Sequence, residues 1–323
     1  MKIFKKIWQV IHKNMSEPML RDTFGDFLVQ FGKDNKNIVV LDSDLSISTR
    51  TYKFGKIFPD RFFNMGVAEQ NTVGTAIGLA ISGKIPVVSG FSIFITGRAW
   101  EFIRLACHDN LNVKFITTHG GFVGEDGSTH HALEDLSLMS SLSNIKIMIP
   151  SDNIELIKIL EYCFSVEGPF YIRLPRGSFP KIHTEDYKFS LGEPDLLKEG
   201  KDICLIGTGY GSILARESAI KLEKELNVSI KVLNLPCIKP IDNQKLIKEL
   251  DKIKGIIIIE EHNIYCGFGS ILARIISKAF ARPMRFIGIE NSFGQSGDKK
   301  ALLNAYNLNK EKIKEYIKEL LDL

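Results

Sequence analysis

The sequence predicts two α/β domains with mainly parallel sheets. Apolar strand-like runs alternate with helical stretches, the pattern of a parallel sheet covered on both faces. The alternation stops at a proline- and charge-rich stretch, about Pro175 to Lys201, and then restarts. The 323 residues also exceed what one core usually holds, about 250–300 residues. Domains are therefore expected over 16–182 and 201–323, joined by a linker over 183–200 and preceded by an extension over 1–15.

In the first domain, strands are predicted over Asn37–Leu41, Ile85–Ser89, Val113–Thr117 and Ile145–Ile149. Helices are predicted between and around them over Arg21–Phe31, Glu69–Ser82, Gly97–Cys107 and Asn153–Val166. The second domain reads as strand Ile203–Ile206, helix Ser212–Leu226, strands Ile230–Leu235 and Gly255–Glu260, and helix Gly269–Phe280. Its opening Gly207-Thr208-Gly209-Tyr210-Gly211 falls one residue short of dinucleotide-binding spacing. No acidic residue ends the next strand, where a ribose-binding carboxylate belongs. Tight strand-to-helix turns explain these glycines.

Composition narrows the function classes. With 44% hydrophobic and 25% charged residues, the chain is an ordinary globular protein. A net charge of +4 is too small to argue for nucleic acid. The cysteines Cys107, Cys163, Cys204, Cys237 and Cys266 are scattered without metal or disulfide spacing, as expected of reduced thiols in a cytoplasm. No stretch reaches the roughly 20 apolar residues of a membrane span. Residues 1–14 are basic and apolar, with Ile3, Ile7, Trp8 and Ile11 on one helical face. They are expected to be a loosely held extension, contact with a membrane surface or a partner being the alternative. Met15 stands as an alternative start.

One carboxylic acid stands out. Glu69 opens a predicted helix whose apolar face is Val73, Ala76, Ile77, Ala80 and Ile81. Burial would favour its protonated form and the helix N-terminus its anion. A carboxyl balanced between the two can share a proton with a ring nitrogen near neutral pH. The plain alternative is a first-turn Glu that complements the helix dipole. A second group is His119, Asp126 and His130 around a glycine-rich loop, where imidazoles suit proton exchange with hydroxyls. His131 is adjacent to His130 and reads as a bystander, since neighbouring residues on a helix point apart.

Five blocks occur in order: Val39-Val40-Leu41-Asp42-Ser43-Asp44-Leu45-Ser46, Phe62-Phe63-Asn64-Met65-Gly66-Val67-Ala68-Glu69-Gln70-Asn71, Ser89-Gly90-Phe91-Ser92-Ile93-Phe94, Thr118 to His130, and Ile149-Pro150-Ser151-Asp152. From about Ser16 onward the chain resembles the pyrimidine-binding and C-terminal domains of transketolases, the thiamine-diphosphate enzymes that move two-carbon ketol units. The resemblance implies that Glu69 hydrogen-bonds the cofactor's pyrimidine ring and thereby activates it. It implies that Phe91 and Phe94 wall that ring, with Asp44 and Leu45 in a loop beside the cofactor. His119 and His130 would contact the ketose carbonyl and hydroxyls, and Asp126 would hold a hydroxyl. Arg21, Ser48 and Arg176 match positions that grip the sugar phosphate, with Arg173 as a substitute for Arg176. Arginine suits that task because its planar fork gives two aligned hydrogen bonds.

The sequence departs from the family in two places. The loop Gly120-Gly121-Phe122-Val123-Gly124 is one residue short, which puts the reach of His119 and the range of sugars in question. The diphosphate-anchoring Gly-Asp-Gly pattern with a following Asn is absent, and Gly124-Glu125-Asp126-Gly127 is not that motif, so no metal ligands are expected here. The resemblance therefore implies the C-terminal subunit of a split enzyme. Its N-terminal partner would bring Mg²⁺ and the diphosphate site, in an α2β2 assembly acting on sugar phosphates. Alternatives are a 2-oxoacid dehydrogenase β-type subunit, a 1-deoxyxylulose-phosphate-synthase-like enzyme, or a non-catalytic scaffold subunit. Donor and acceptor sugars are not legible, and central pentose metabolism and specialised sugar synthesis would look alike.

Overall fold

The computed structural model describes residues 19–323. The extension over 1–15, its amphipathic face and Met15 lie outside the described residues. The chain divides into two compact units. The first runs up to Gly120 and resumes over Leu138–Phe189, and the second comprises Gly121–Ser137 and Ser190–Leu323.

Six strands build the first unit: β1 (Ile38–Asp42), β2 (Phe62–Asn64), β3 (Ile85–Ser89), β4 (Lys114–Gly120), β5 (Lys146–Met148) and β6 (Phe170–Pro175). They lie in the order β5-β6-β4-β3-β1-β2, and every pairing is parallel. β1, β4 and β6 are buried along their whole length, as expected of parallel strands covered on both faces. Helices Leu20–Asp34, Glu69–Ile81 and Asn153–Ser165, close to the predicted ranges, accompany the sheet. The last starts on Asp152, whose carboxylate accepts the Glu155 N–H as an N-cap.

The second unit contains β7 (Asp195–Lys198), β8 (Ile203–Gly207), β9 (Ile230–Asn234), β10 (Cys237–Lys239), β11 (Gly255–Asn263) and β12 (Met284–Ile289). Five of them form a sheet in the order β12-β11-β8-β9-β7, parallel except that β7 runs against β9. The predicted fold class is thus the observed one. At the opening turn of this unit, a Cβ on Gly207 would fall 2.3 Å from the Ser212 nitrogen, so the glycine serves a close backbone approach. Among the described residues, no helix is long and apolar enough to cross a membrane.

Four differences from the sequence reading bear on the site. β7 occupies part of the predicted linker; it is a short, half-exposed edge strand and leaves no apolar run to read. The predicted helix Gly97–Cys107 is two helices, Ser92–Arg98 and Trp100–His108, separated at Ala99. The apolar face of Glu69–Ile81 is buried only at its start: Ile77 and Ala80 are half-buried, and Ile81 is 70% exposed. Finally, Gly121–Ser137 groups with the second unit, because Phe122 and Leu133 belong to that unit's core.

Candidate active site

In the first unit, Glu69 is the first residue of its helix and only 4% exposed. A buried carboxylate needs a partner. It has one in Arg98, whose Nη1 donates to Glu69 Oε1 at 2.9 Å. The Arg98 guanidinium also lies over the Phe94 ring, 4.4 Å from its centroid. Phe94 stacks with Phe91 at 6.0 Å, and Phe91 stacks with the His119 imidazole at 3.8 Å. A continuous run of side chains thus leads from Glu69 to His119. Arg98 is the member that sequence reasoning misses. Its signal is its place seven residues after Phe91, two helical turns on, hidden inside a helix predicted to start later.

His119 sits where β4 overruns its predicted end. The register with β6 shifts between Thr117 and Gly120, and His119 itself has φ +62°. A non-glycine residue in the left-handed region at a bulge is held there by its surroundings, a recurrent feature of functional sites. Its Nδ1 lies 2.8 Å from Thr118 Oγ1, and the ring is 2% exposed.

The loop after β1 is fixed by Asp42, a buried carboxylate that no sequence pattern singles out. It accepts the Leu45 N–H at 2.6 Å and the hydroxyls of Thr49 and Thr51 at 2.7 and 2.8 Å. Burial raises its pKa above the usual carboxylate value, and these donors oppose the rise. Asp44, at φ +62°, exchanges two hydrogen bonds with Asn64, whose Oδ1 also accepts the Gly66 N–H at 3.1 Å. Ser43 Oγ meets Thr72 Oγ1 at 3.0 Å. Asp44 and Leu45 are thereby tied to the turn that presents Glu69.

The phosphate candidates also come together. Arg21 Nη1 donates to the Ser48 carbonyl at 3.1 Å. Arg21 Nε is buried without a hydrogen-bond partner. Burial lowers the Arg21 pKa first, and the charges of Arg50 and Arg176 lower it further, against Asp22. Mutually repelling arginines with an unsatisfied N–H suit an anion. Arg173, the expected substitute for Arg176, lies on β6. It is 3% exposed beside the end of β4, where a Cβ on Gly120 would approach its Cγ to 2.6 Å.

In the second unit, Asp126 is exposed and His130 half-buried, with its Nδ1 3.0 Å from Thr129 Oγ1. His131, expected to be a bystander, is the buried one. Its Nδ1 accepts the Val123 N–H at 3.1 Å and its Nε2 meets the Gln295 carbonyl at 3.0 Å. The helical expectation does not apply, because residues 128–130 form a turn and His131 follows it outside any helix.

A buried carboxylate next to stacked aromatic rings is the donor set for a flat heteroaromatic ring with a protonatable nitrogen, so the first unit's residues fit a thiamine-type pyrimidine. Comparisons with known proteins agree. The family described as transketolase, pyrimidine binding domain matches residues 16–181, and transketolase, C-terminal domain matches 192–313. A putative transketolase C-terminal section of Methanocaldococcus jannaschii is 39% identical over 93% of this chain and 95% of its own length. One chain of an apulose-4-phosphate transketolase from Actinobacillus succinogenes is 34% identical, over 87% of this chain and 91% of its own. A solved structure described as split gene transketolase, inactive beta4 tetramer, superposes with a TM-score of 0.85 at 38% identity, covering 95% of this chain and 99% of that one. The chain therefore belongs to the transketolase family, whose members generally use thiamine diphosphate, and it contains that family's pyrimidine-binding and C-terminal domains.

Proposed function

We propose that this chain is the C-terminal subunit of a two-chain, thiamine-diphosphate-dependent enzyme that transfers a two-carbon ketol unit from a ketose phosphate to an aldose phosphate. The observation that carries this reading is the run Glu69, Arg98, Phe94, Phe91, His119, which sets a buried carboxylate beside a ring platform and an imidazole.

The cofactor, when bound, supplies the nucleophilic carbon that a ketose carbonyl needs. The chain's own residues do the rest. Glu69 holds or releases a proton at Oε2 toward the pyrimidine nitrogen, with Oε1 anchored by Arg98. Phe91 and Phe94 bind and orient the ring, and the Asp44–Leu45 loop borders it. His119 and His130 exchange protons with carbonyl and hydroxyl oxygens, and Asp126 accepts from a substrate hydroxyl. Arg21, Ser48 and Arg176 receive the sugar phosphate. An N-terminal partner carries the Mg²⁺ ligands and the diphosphate site in an α2β2 assembly. The description of the 38%-identical relative as an inactive tetramer of β chains supports the need for a partner.

A coupled assay with thiamine diphosphate, Mg²⁺, xylulose 5-phosphate and ribose 5-phosphate tests the reading. Turnover is expected from the chain mixed with its N-terminal partner and absent from the chain alone. Full activity of the chain alone would refute the two-chain part. An assembled, cofactor-loaded pair inert toward every ketose phosphate but active on a 2-oxoacid would refute the reaction.

A further inference from the structure

Resting on that reading, we infer that His131 is a positioning residue for sugar binding: its neutral imidazole ties the loop that carries Asp126 and His130 to the segment 291–298 of the second unit.

The loop has a closed neck, because Gly121 and Ala132 exchange backbone hydrogen bonds of 3.0 and 3.1 Å. Between those residues the chain makes a compact excursion that presents Asp126 and His130. Two consecutive amides at its start are held by side chains. The Phe122 N–H donates to Glu261 Oε1 at 2.8 Å, and the Val123 N–H donates to His131 Nδ1 at 3.1 Å. Glu261 is itself fixed by Lys299, at 3.0 Å.

His131 reaches in the other direction as well. Its Nε2 faces the Gln295 carbonyl at 3.0 Å, and its ring meets Phe122 edge-on at 5.0 Å. The segment packs closely over the loop. A Cβ on Gly294 would come 2.7 Å from His131 Cδ2, and one on Gly127 would come 2.5 Å from Ser296 Oγ. No larger residue fits at either contact without a shift.

The partners fix the tautomer. An amide N–H only donates and a carbonyl only accepts, so Nδ1 carries the lone pair and Nε2 the proton. Protonating Nδ1 would expel the Val123 amide and free one end of the tie. Burial holds the His131 pKa below the ordinary imidazole value. The Gln295 carbonyl and the Glu261 carboxylate oppose that fall, while the charges of His130 and Lys299 add to it. The tie is therefore complete above about pH 6.5 and is lost as pH falls through the lowered value. Glutamine can replace it without titrating, since its amide carries both an acceptor and a donor.

The test uses the assembled pair of this chain with its N-terminal partner. Hydrogen–deuterium exchange of peptides spanning 122–130, corrected for intrinsic rates, is compared at about pH 7.5 and about pH 5.5. At about pH 7.5 the wild type and His131→Gln should be tight and His131→Leu loose, and any protonation-linked loosening at lower pH should occur in the wild type and not in His131→Gln. In the coupled assay at neutral pH, His131→Leu should raise KM for the ketose phosphate roughly tenfold, leave kcat within about twofold and leave cofactor affinity unchanged. His131→Gln should restore the KM. Equal exchange in the wild type and His131→Leu at about pH 7.5 would overturn the tie. A loop loosened in His131→Leu with unchanged KM would show that the tie exists but that the loop does not bind the sugar, overturning its assigned purpose.

Discussion

Arg98 grips the Glu69 carboxylate through Oε1 at 2.9 Å while its guanidinium rests on the Phe94 ring. One residue thus fixes both the acid and the aromatic wall of the proposed cofactor site. Glu69 is 4% exposed and Arg98 half exposed, so the pair is neither a surface ion pair nor a fully buried one. The full penalty of roughly 3–5 kcal/mol for stranding a buried charge does not apply to a partner that solvent also reaches.

Arg98→Gln should therefore slow ketol transfer by about tenfold, equivalent to roughly 1.4 kcal/mol, rather than abolish it. The thermal midpoint should shift little, because water can take the place of the exposed guanidinium. Steady-state rates of the assembled pair and a melting curve of the chain check both statements.

Arg21 and Arg176 should act on the phosphate alone. Arg21→Ala and Arg176→Ala are each expected to raise KM for a ketose phosphate by about 10- to 100-fold, the loss of one charge-assisted hydrogen bond of roughly 1.5–3 kcal/mol. An unphosphorylated ketose donor should be used by the variants as well as by the wild type. An equal loss on both substrates would mean that the arginines serve the fold. Arg21 Nε, buried and unsatisfied, is the atom expected to gain a partner.

The block Ile149-Pro150-Ser151-Asp152 leads to a buried polar cluster with its own pH signature. Glu155 accepts the Ser151 N–H and the Tyr187 hydroxyl, and Asp152 accepts from both the backbone N–H and the Nδ1 of His183. Burial pushes the Glu155 pKa from 4.5 up to about 7, against His183. The folded state then keeps a proton that the unfolded chain releases from about 4.5 upward, so stability falls as pH rises toward about 7. Each pH unit in that window lowers stability by at most about 1.4 kcal/mol. Glu155→Gln should flatten this part of the profile, which urea unfolding at several pH values would reveal.

Sequence carries the architecture because strand and helix periods are local. β1, β3, β4 and β8 are readable as apolar runs. The short edge strand β7 is not, since a half-exposed pairing leaves no hydrophobic signature. Candidate site residues are legible as motif positions, but their partners are not. Glu69 and Arg98 are twenty-nine residues apart, and His131 and Gln295 lie 164 apart, and only the fold decides such pairings. The same limit applies to the surroundings of two further residues. A helical rule sets His131 aside, but it lies outside any helix. Arg173 looks like a phosphate-gripping charge in the sequence, although its strand is buried throughout.

The central claim is that the Glu69 carboxyl activates a bound cofactor. It is tested most directly by the exchange of the cofactor's thiazolium-carbon proton for deuterium, followed by proton NMR in the assembled pair with Glu69 intact or replaced by Gln. The account predicts that Glu69→Gln slows this exchange by at least about 100-fold while the pair still assembles and binds cofactor. Exchange at the wild-type rate in an assembled, loaded Glu69→Gln pair would contradict it.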